Sequence, residues 1–241
     1  MTTADTLVVV PTYDEAENIS VVLDDVLTAH PEVDVLVVDD GSPDGTGDLV
    51  AARAAEDPRI HLLRRTGKQG LGTAYRAGFA WALERDYRRI AEMDADGSHR
   101  AQDLGGLLAA SDEGADLVLG SRWVAGGGVV NWPWHRRFIS RGGTWYARLM
   151  LGLDIHDLTG GFRVFRRETL ERLRLDEVAS QGYCFQIDMA RRTAGAGLRI
   201  VEMPITFVER AHGRSKMSGA IVREALWRVT GWGLQRALKR H

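Results

Sequence analysis

Short runs of aliphatic, largely β-branched residues alternate with longer amphipathic stretches over the first two-thirds of the chain. The apolar runs occupy residues 7–10, 35–38, 60–63, 90–93 and 117–119. The stretches between them, which we predict to be helices, are 15–29, 47–56, 70–85 and 101–111. Strands that alternate with helices in this way form a mostly parallel central sheet with helices on both faces. The alternation therefore predicts an α/β, Rossmann-like fold.

Polar motifs follow four of these predicted strands. They read PTYDE after the first strand, DDGSPDGT after the second, DADGSH after the fourth and GSR after the fifth. Open α/β sheets bind their ligands at the carboxyl ends of the strands. We therefore expect one ligand site at this edge of the sheet.

The distribution of charge separates the end of the chain from the rest. The 241 residues have a formal net charge of −2, which argues against a nucleic-acid-binding protein. From Arg210 onward, however, Glu224 is the only acidic residue among eight lysines and arginines, namely Arg210, Arg214, Lys216, Arg223, Arg228, Arg236, Lys239 and Arg240. Such a basic segment indicates either an anionic partner, such as a phosphate or a lipid surface, or a solvated helix end.

The single cysteine and the absence of long apolar segments bear on location. Cys184 is the only cysteine, which excludes an internal disulfide and a cysteine-based zinc site and fits a reducing compartment. The N-terminal residues lack the pattern of a signal peptide, and no window approaches the ~18 apolar residues of a spanning helix. We expect a cytoplasmic protein, or one bound peripherally to the cytoplasmic face of a membrane.

The segment Asp94-Ala95-Asp96 directly follows the fourth apolar run. Residues two apart in a strand point the same way, so both carboxylates can face one hard cation. Together with a diphosphate they would suit Mg²⁺ or Mn²⁺. A polar turn that caps the next helix is the alternative interpretation of this short motif.

Two further motifs carry residues suited to a nucleotide base. Asp40 leaves the second strand, and its carboxylate matches the adjacent N–H donors of guanine or the single donor of uracil. Tyr13 offers a ring face to a base, next to Pro11 and Glu15. Either motif taken alone can also be explained by turn formation and helix capping.

The sequence has one further candidate motif, which is basic, and lacks two common nucleotide-binding motifs. Arg210 and Lys216 flank Gly213 and can clamp a diphosphate, or can belong to a solvated loop. The first β–α turn lacks the G-x-G-x-x-G of dinucleotide-binding proteins. The order of glycines and lysine at 67–73 does not match a P-loop.

The pattern changes after Arg122. Residues 123–151 contain a glycine-rich joint at 126–128 and then aromatic, aliphatic and arginine residues in close succession. Residues 199–207 are predicted to form a further strand, and 217–241 a basic amphipathic helix. Ile221, Ala225, Val229 and Trp232 share one face of this helix. Periodicity does not decide whether that face packs on the domain or lies on a bilayer.

The motifs, in their order and spacing, resemble those of the polyprenol (dolichyl) phosphate mannose synthases, a branch of the inverting nucleotide-sugar glycosyltransferases with a GT-A fold. PTYDEAENI, VVDDGSPDGT, MDADGSH and LGSRW carry the resemblance to the broad family. RRFISRG, DLTGGFRVF, GYCFQIDM and RAHGRSK point to the polyprenyl phosphate branch. The resemblance spans residues 8–216. It implies a GT-A catalytic domain over 1–216 that includes 123–151, followed by the helix at 217–241.

The resemblance also implies roles for individual residues. The nucleotide is expected to contact Pro11, Tyr13, Glu15, Val38 and Asp40. The diphosphate and its divalent metal are expected to be held by Asp94, Ala95 and Asp96, with Ser98 at a position where some relatives carry a metal-binding glutamine. The lipid phosphate is expected at Arg122, Arg136 and Ser140, and the diphosphate clamp at Arg210 and Lys216. Asp96, Arg122 and Arg136 are the expected catalytic residues, with Arg122 also next to the donor.

The implied reaction moves mannose from GDP-mannose to a polyprenyl (dolichyl-type) monophosphate with inversion, which gives a β-linked product. The lipid phosphate is itself a nucleophile, so no strong general base is needed. His99, His135, His156 and His212 are therefore interpreted as structural. The implied partners are the cytoplasmic membrane surface and, for the branch that borrows its membrane anchor, a membrane-anchoring protein.

Three alternatives remain at the level of sequence. A UDP-sugar could replace GDP-mannose, because the same aspartates suit uracil. A catalytically inactive, lectin-like protein would not need the intact DAD, GSR and RAHGRSK motifs. A nucleotidyltransferase that makes nucleotide sugars would leave the basic and aromatic segments unexplained.

Overall fold

The central strands are apolar at nearly every position and are buried on both faces. Every residue of β2 (Asp34–Asp39) is buried, as is every residue of β1 (Thr6–Thr12) except Pro11. Burial on both faces requires helices on both sides of the sheet. The computed structural model describes residues 4–178, 182–210 and 219–238.

Helices and strands alternate through the first half of the molecule. After β1 and β2 the strands are β3 (Ile60–Arg64), β4 (Arg89–Glu92), β5 (Leu117–Ser121), β6 (Gly128–Val130), β7 (Arg163–Arg166), β8 (Ile200–Pro204) and β9 (Thr206–Val208). The helices are α1 (Ile19–Ala29), α2 (Thr46–Glu56), α3 (Leu71–Leu83), α4 (Leu104–Asp112), α5 (Trp134–Leu151), α6 (Arg167–Arg172), α7 (Gly182–Gly195) and α8 (Gly219–Leu238). Short 3₁₀ turns lie at Ala101–Asp103 and Leu175–Glu177.

Seven strands form the main sheet in the order β3-β2-β1-β4-β7-β5-β8. All neighbouring pairs are parallel except those that involve β7, which runs antiparallel to both β4 and β5. A separate parallel pair joins β6 to β9. The observed architecture confirms the predicted α/β fold with a mostly parallel sheet.

The alternation of side chains along β1 divides the core into two layers. Leu7 and Val9 pack with Tyr75, Phe79 and Phe185 on the side of α3 and α7. Val8 and Val10 pack against α1 and α4 on the other side. Gly78 lets α3 approach β1 closely, because a Cβ there would lie 2.4 Å from Val9 Cγ1. The two layers hold β1, and hence the loop after it, at the centre of the molecule.

The observed elements differ from the predicted ones in several places. The first helix begins at Ile19 rather than at residue 15, because Asp14 has φ 55° and residues 15–18 form a turn in which the Asn18 N–H donates to the Glu15 carbonyl (3.0 Å). The predicted strand 199–207 is divided into β8 and β9, which belong to different sheets. The antiparallel strand β7 was missed, since its sequence, RVFR, lacks an apolar run.

The two longest helices of the described residues, α5 and α8, pack against each other. The Tyr146 hydroxyl lies 2.6 Å from the Thr230 hydroxyl and joins α5 to α8. A Cβ at Gly233 would lie 2.6 Å from Met150 Cε, so the glycine permits this close crossing. Val229 of α8 is buried in the core, and Trp232 packs against it. The face predicted for α8 from periodicity therefore faces the domain at these two residues.

Candidate active site

The carboxyl ends of β1, β2 and β4 bring three of the sequence motifs together. These strands are neighbours in the sheet, in the order β2-β1-β4. Asp40 directly follows β2, and Asp94 lies two residues beyond β4. Tyr13 and Glu15 follow β1, between the other two motifs. The topology thus places these residues at one edge of the sheet, as the sequence predicted.

The two adjacent aspartates after β2 have different partners. Asp39 is buried and accepts hydrogen bonds from the hydroxyls of Thr12 (3.1 Å) and Ser42 (2.5 Å), which fix the loop. Asp40 accepts one bond from Arg65 Nη1 (2.6 Å) and one from the backbone N–H of Gln69 (3.2 Å). A carboxylate offers about four acceptor sites. Asp40 can therefore accept further N–H donors, such as those of a base.

Polar and charged side chains lie near the end of β1, in the neighbourhood of Asp40. Lys68 Nζ lies 4.1 Å from the centroid of the Tyr13 ring, a cation–π contact. Glu15 is buried and accepts a bond from Asn18 Nδ2 (2.9 Å). Pro11 is half-buried, whereas the Val38 side chain lies in the apolar core. A contact of Val38 with a nucleotide would therefore use its backbone.

The two aspartates after β4 have opposite electrostatic settings. Burial and the negative charge of Asp96 raise the pKa of Asp94, against the opposing effects of His99 and Arg210. Burial opposes the ionisation of Asp96 too, but hydrogen bonding from Ser98 and the charge of Arg210 lower its pKa. The Ser98 backbone N–H donates to Asp96 Oδ1 (3.1 Å). The pair therefore presents one carboxylate with a lowered pKa beside one with a raised pKa.

This arrangement fits a divalent cation shared with a diphosphate. The Asp94 side chain is 34% exposed, and Ser98 Oγ is buried without a hydrogen-bond partner in the described residues. No group of three or more His, Cys, Asp or Glu side chains arranged for a metal ion is found in that part of the chain. Mg²⁺ commonly binds one or two carboxylates and takes its other ligands from water and substrate phosphates. Asp94, Asp96 and Ser98 Oγ would hold such an ion, while the buried Ala95 offers only its backbone.

His99 braces the loop that carries these aspartates. Its Nδ1 accepts a hydrogen bond from the backbone N–H of Asp94 (3.2 Å), so the neutral ring carries its proton on Nε2. Nε2 lies 3.9 Å from Asp94 Oδ2, and the ring stacks on Phe162 at 4.9 Å. Burial lowers the pKa of His99, although the charges of Asp94 and Asp96 oppose the shift. A neutral, buried imidazole agrees with the structural role expected for this residue.

Arg122 lies beside a carboxylate that the sequence analysis did not assign. Its Nε and Nη2 donate to the two oxygens of Asp157 at 2.6 and 2.7 Å, and both residues are buried. Charges of opposite sign lower the pKa of Asp157 despite the burial that raises it. The guanidinium also lies 5.3–5.7 Å from the rings of three aromatic residues, Trp123, Trp132 and Phe207. Arg122 is therefore firmly held in this conformation.

Arg136 lies in the first turn of α5 and is less buried than Arg122. Its Nη1 lies 2.5 and 2.7 Å from the two oxygens of Glu209, and its guanidinium stacks on Trp132 at 4.3 Å. Ser140 follows one turn later on the same side of the helix. The Oγ of Ser140 and the indole N–H of Trp132 are buried and have no partner among the described residues. This side of α5 thus carries a cation and a hydroxyl, and the indole N–H of Trp132 lies two residues before the helix begins.

The diphosphate clamp is described only in part. Arg210 Nη2 lies 3.0 Å from Asp96 Oδ2, so the structure brings Arg210 directly to one of the two carboxylates predicted to hold the metal ion. Lys216 and His212 lie outside the described residues. The basic motif therefore begins at the edge of the site.

The comparison with protein families decides the class of the protein. The family model described as glycosyl transferase family 2 matches residues 7–174, which contain the nucleotide motifs and most of the sheet. This chain belongs to glycosyl transferase family 2. The glycosyltransferase activity expected from the motifs is thereby confirmed.

Curated relatives of this glycosyltransferase cover almost its whole length. The polyprenol monophosphomannose synthase of Mycolicibacterium smegmatis is 53% identical over 98% of this chain and 89% of the relative. The undecaprenyl-phosphate mannosyltransferase of Micrococcus luteus is 57% identical over 95% of this chain and 93% of the relative. These matches confirm the resemblance drawn from the motifs.

Solved structures support the fold of the glycosyltransferase. Glucosyl-3-phosphoglycerate synthase from Mycobacterium tuberculosis, in complex with Mn²⁺, UDP and phosphoglyceric acid, has a TM-score of 0.72 at 18% identity. The similarity covers 96% of this chain and 79% of that chain. At this level of identity the likeness establishes the GT-A-like fold alone.

Several residues of the glycosyltransferase site escaped assignment from the sequence. Arg163 is fully buried and donates to the carbonyl oxygens of Leu158, Gly160 and Gln186. It therefore shapes the loop that presents Asp157 to Arg122. Both Asp157 and Arg163 belong to the motif DLTGGFRVF, which was recognised as a unit without roles for its members. Glu209 stands directly before the basic motif and had no pattern to mark it.

Two helices of the glycosyltransferase expose apolar stripes. The stripe on α5 consists of Trp134, Phe138, Trp145 and Leu149, which are 63–79% exposed and fall within about 60° of the helix circumference. The stripe on α8 consists of Trp227, Leu234 and Leu238, which are 59–81% exposed. Arg137 and Arg141 of α5 are exposed beside the first stripe. No described helix is long and apolar enough to cross a membrane.

Proposed function

We propose that this protein transfers mannose from GDP-mannose to a polyprenyl (dolichyl-type) monophosphate with inversion, which yields polyprenyl phosphate β-mannose and GDP. The names of the two curated relatives support the sugar and the class of acceptor. The observation that carries the proposal is the placement of the Asp94–Asp96 pair between Asp40 and an arginine-bearing helix with an exposed apolar stripe. These groups would serve a nucleotide, a diphosphate and a lipid phosphate in turn.

On the donor side, Asp40 accepts the N–H groups of guanine while Tyr13 lies against the base. Pro11, Glu15 and the backbone of Val38 line the same pocket. Asp94, Asp96 and Ser98 would hold Mg²⁺ or Mn²⁺, which would supply positive charge to the departing diphosphate. Arg210 and Lys216 add positive charge on that side, where the negative charge of the leaving group develops.

On the acceptor side, Arg136 and Ser140 receive the lipid phosphate. Arg136 is better placed for direct contact than Arg122, since its side chain is 19% exposed whereas that of Arg122 is 5% exposed. Arg122 then contributes its charge and orients the surrounding rings. A phosphate oxygen attacks the anomeric carbon as the bond from that carbon to the diphosphate oxygen breaks. No proton has to move, in agreement with the neutral, buried state of His99.

The two apolar stripes on α5 and α8 support binding to a bilayer surface. Helices that lie in an interface bury an apolar face and place basic residues at the headgroups. The exposed tryptophans Trp134, Trp145 and Trp227 suit the interfacial zone, and Arg137 and Arg141 suit anionic headgroups. We therefore propose a peripheral protein at the cytoplasmic face of the membrane, where a membrane-anchoring protein could strengthen the attachment. The lipid phosphate would then approach from the side that bears Arg136.

The proposal is tested with GDP-mannose labelled in the sugar and a polyprenyl phosphate in detergent or vesicles. We expect label in the organic phase only when a divalent cation is present, and we expect unlabelled GDP to compete better than UDP. Asp96→Asn serves as the inactive control. Transfer from UDP-glucose in place of GDP-mannose would identify the UDP-sugar alternative. Retention of all label in the aqueous phase with both donors would contradict the proposal.

A further inference from the structure

We infer that Glu209 is a positioning residue that competes with the acceptor phosphate for Arg136 and thereby couples acceptor binding to donor binding. The inference rests on the proposed function, since it takes Arg136 as the group that receives a phosphate. It adds a residue to which neither the motifs nor the family resemblance gave a role.

The first observation is the ion pair itself. Both carboxylate oxygens of Glu209 lie within 2.7 Å of Arg136 Nη1, and the guanidinium is confined on its other face by Trp132. The two side chains are only 19% and 29% exposed, so water screens their interaction weakly. A phosphate dianion that approaches Arg136 therefore meets the negative charge of Glu209 at the same guanidinium. Binding requires Glu209 to withdraw.

The second observation is that the next residue in the chain makes the matching contact on the donor side. Arg210 Nη2 lies 3.0 Å from Asp96 Oδ2, an oxygen that would face the metal ion. Glu209 and Arg210 are thus consecutive residues of opposite charge. Glu209 binds Arg136 on the acceptor side, and Arg210 binds Asp96 on the donor side. The charges of Arg136, Glu209, Arg210 and Asp96 alternate in sign, so a change of partner at one end of this row disturbs the other end.

The third observation is the backbone that connects these contacts. The Val208 N–H donates to the Ser98 carbonyl (3.0 Å), and the Glu209 N–H donates to the Val130 carbonyl (3.1 Å). Phe207 also forms a bridge with His99. The short stretch 207–210 is therefore bonded on one side to the loop of the metal-site aspartates and on the other to β6, the strand that precedes α5. A shift of either neighbour is transmitted to the other.

The consequence is a preferred order of binding. A divalent cation held by Asp96 would compete with Arg210 for that carboxylate, and the donor diphosphate would offer Arg210 a new partner. Because Glu209 is the adjacent residue, a move of Arg210 weakens the hold of Glu209 on Arg136. The donor thus prepares Arg136 for the lipid phosphate, and by thermodynamic linkage the acceptor strengthens donor binding by the same factor.

The test measures equilibrium binding by calorimetry with geranyl phosphate, a water-soluble prenyl phosphate, in the absence and presence of GDP and Mn²⁺. For the wild-type protein we expect affinity to rise about fivefold or more when GDP and Mn²⁺ are present. Glu209→Gln keeps the size of the side chain but removes its charge. Without GDP and Mn²⁺, this variant should bind geranyl phosphate as tightly as the wild type does with them. The ratio of its affinities with and without GDP and Mn²⁺ should therefore be close to one. Glu209→Asp retains the charge and should preserve part of the coupling.

Two controls separate this role from a general effect on charge or folding. Glu171→Gln removes a carboxylate from a comparable pair with Arg167 on α6, at the opposite end of β7 from Arg163. This variant should bind geranyl phosphate as the wild type does, both with and without GDP and Mn²⁺. Adding Arg136→Ala to Glu209→Gln should abolish the gain in acceptor affinity, because the gain depends on the released arginine.

The outcomes discriminate between the two proposals. Weaker geranyl phosphate binding in Glu209→Gln, or an unchanged dependence on GDP, would overturn the coupling role. A wild-type protein that binds both ligands and transfers mannose without any coupling would overturn this inference alone. A wild-type protein that neither binds geranyl phosphate nor transfers mannose would remove the proposed function, and this inference with it.

Discussion

The donor-side loops and the outer faces of α5 and α8 are constructed in opposite ways. At the donor side several charged groups are buried and face a partner of opposite charge, as in Asp40 with Arg65 and Asp96 with Arg210. On the two helices, large apolar side chains are left in contact with water, and Trp134 and Trp227 are about four-fifths exposed. A preorganised polar site suits catalysis, because its dipoles need little rearrangement during the reaction. An exposed apolar surface of this kind indicates a partner or a membrane.

The largest expected effect tests the donor side of this comparison. Asp96→Asn keeps the size of the side chain and removes the charge that binds Arg210 and the proposed metal ion. We expect kcat/KM to fall at least about a thousandfold, equivalent to about 4 kcal/mol of transition-state stabilisation. The measurement is the initial rate of mannose transfer over a range of metal concentrations.

The matched control is Asp48→Asn on α2, because Asp48 pairs with Arg64 at the exposed surface. Exposed pairs of this kind contribute little, so activity and stability should both stay close to wild type. Near-normal activity of Asp96→Asn would show that the donor-side carboxylates do not have the role we propose.

A second prediction concerns the buried charge beneath the donor site. Glu92 lies opposite Arg163 in the β4–β7 ladder, and neither of its carboxylate oxygens has a hydrogen-bond partner in the described part of the chain. Burial raises the pKa of Glu92 to about 7, although the charge of Arg163 opposes the shift. The folded protein therefore holds a proton that the unfolded chain releases above its ordinary pKa of 4.5.

This difference makes the free energy of unfolding depend on pH. The contribution of Glu92 is fully present below pH 4.5 and is lost as pH rises to about 7, with a magnitude of about 3 kcal/mol. Glu92→Gln stays neutral throughout, so this decline should disappear from its stability profile. Urea titrations between pH 5 and pH 8 measure the difference. Parallel profiles for the two proteins would show that Glu92 ionises normally in the folded state.

The contrast between the two regions also explains what could be predicted from the sequence. Residues 7–10 and 35–38 are strands because their β-branched side chains must be buried, and the loops after them are placed by topology. Arg163 lies in a buried strand although its side chain is charged. Its burial is possible because three carbonyl oxygens accept hydrogen bonds from its guanidinium. Hydropathy patterns do not detect such a residue.

Pairing across long stretches of chain was equally hidden. Arg136 and Glu209 are 73 positions apart, and nothing local to either residue marks the other as its partner. On α8 the periodicity identified the face that contains Val229 and Trp232, which contacts the core. It did not identify the second stripe of Trp227, Leu234 and Leu238, because apolar residues occur on more than one side of that helix.

A third prediction, of intermediate size, tests the helix side of the comparison. Trp134→Glu and Trp145→Glu each place a charge in the apolar stripe of α5, where both tryptophans are exposed. We expect binding to vesicles that contain anionic lipid to weaken about tenfold for each change, with little effect on thermal stability. Cosedimentation with vesicles measures binding. Val21→Glu on α1, where Val21 is 59% exposed, is the matched control and should bind as the wild type does.

The smallest expected effect is on the rate at which Cys184 is alkylated. This rate tests whether α8 keeps its contact with the domain when the protein binds a membrane. Cys184 of α7 is fully buried, and burial, with a further contribution from Glu224 of α8, raises the pKa of its thiol to about 12. Only about one part in ten thousand is then thiolate at pH 8, so alkylation by iodoacetamide should be at least about a thousandfold slower than for an exposed cysteine.

Addition of vesicles should change this labelling rate less than about twofold, because Val229 and Trp232 hold α8 on the core while its other stripe contacts lipid. Labelling in denaturant provides the upper limit for the rate. A large increase with vesicles alone would mean that α8 leaves the domain to enter the bilayer. The two faces of this helix would then act in turn, and the division between a packed inner face and a membrane-binding outer face would have to be abandoned.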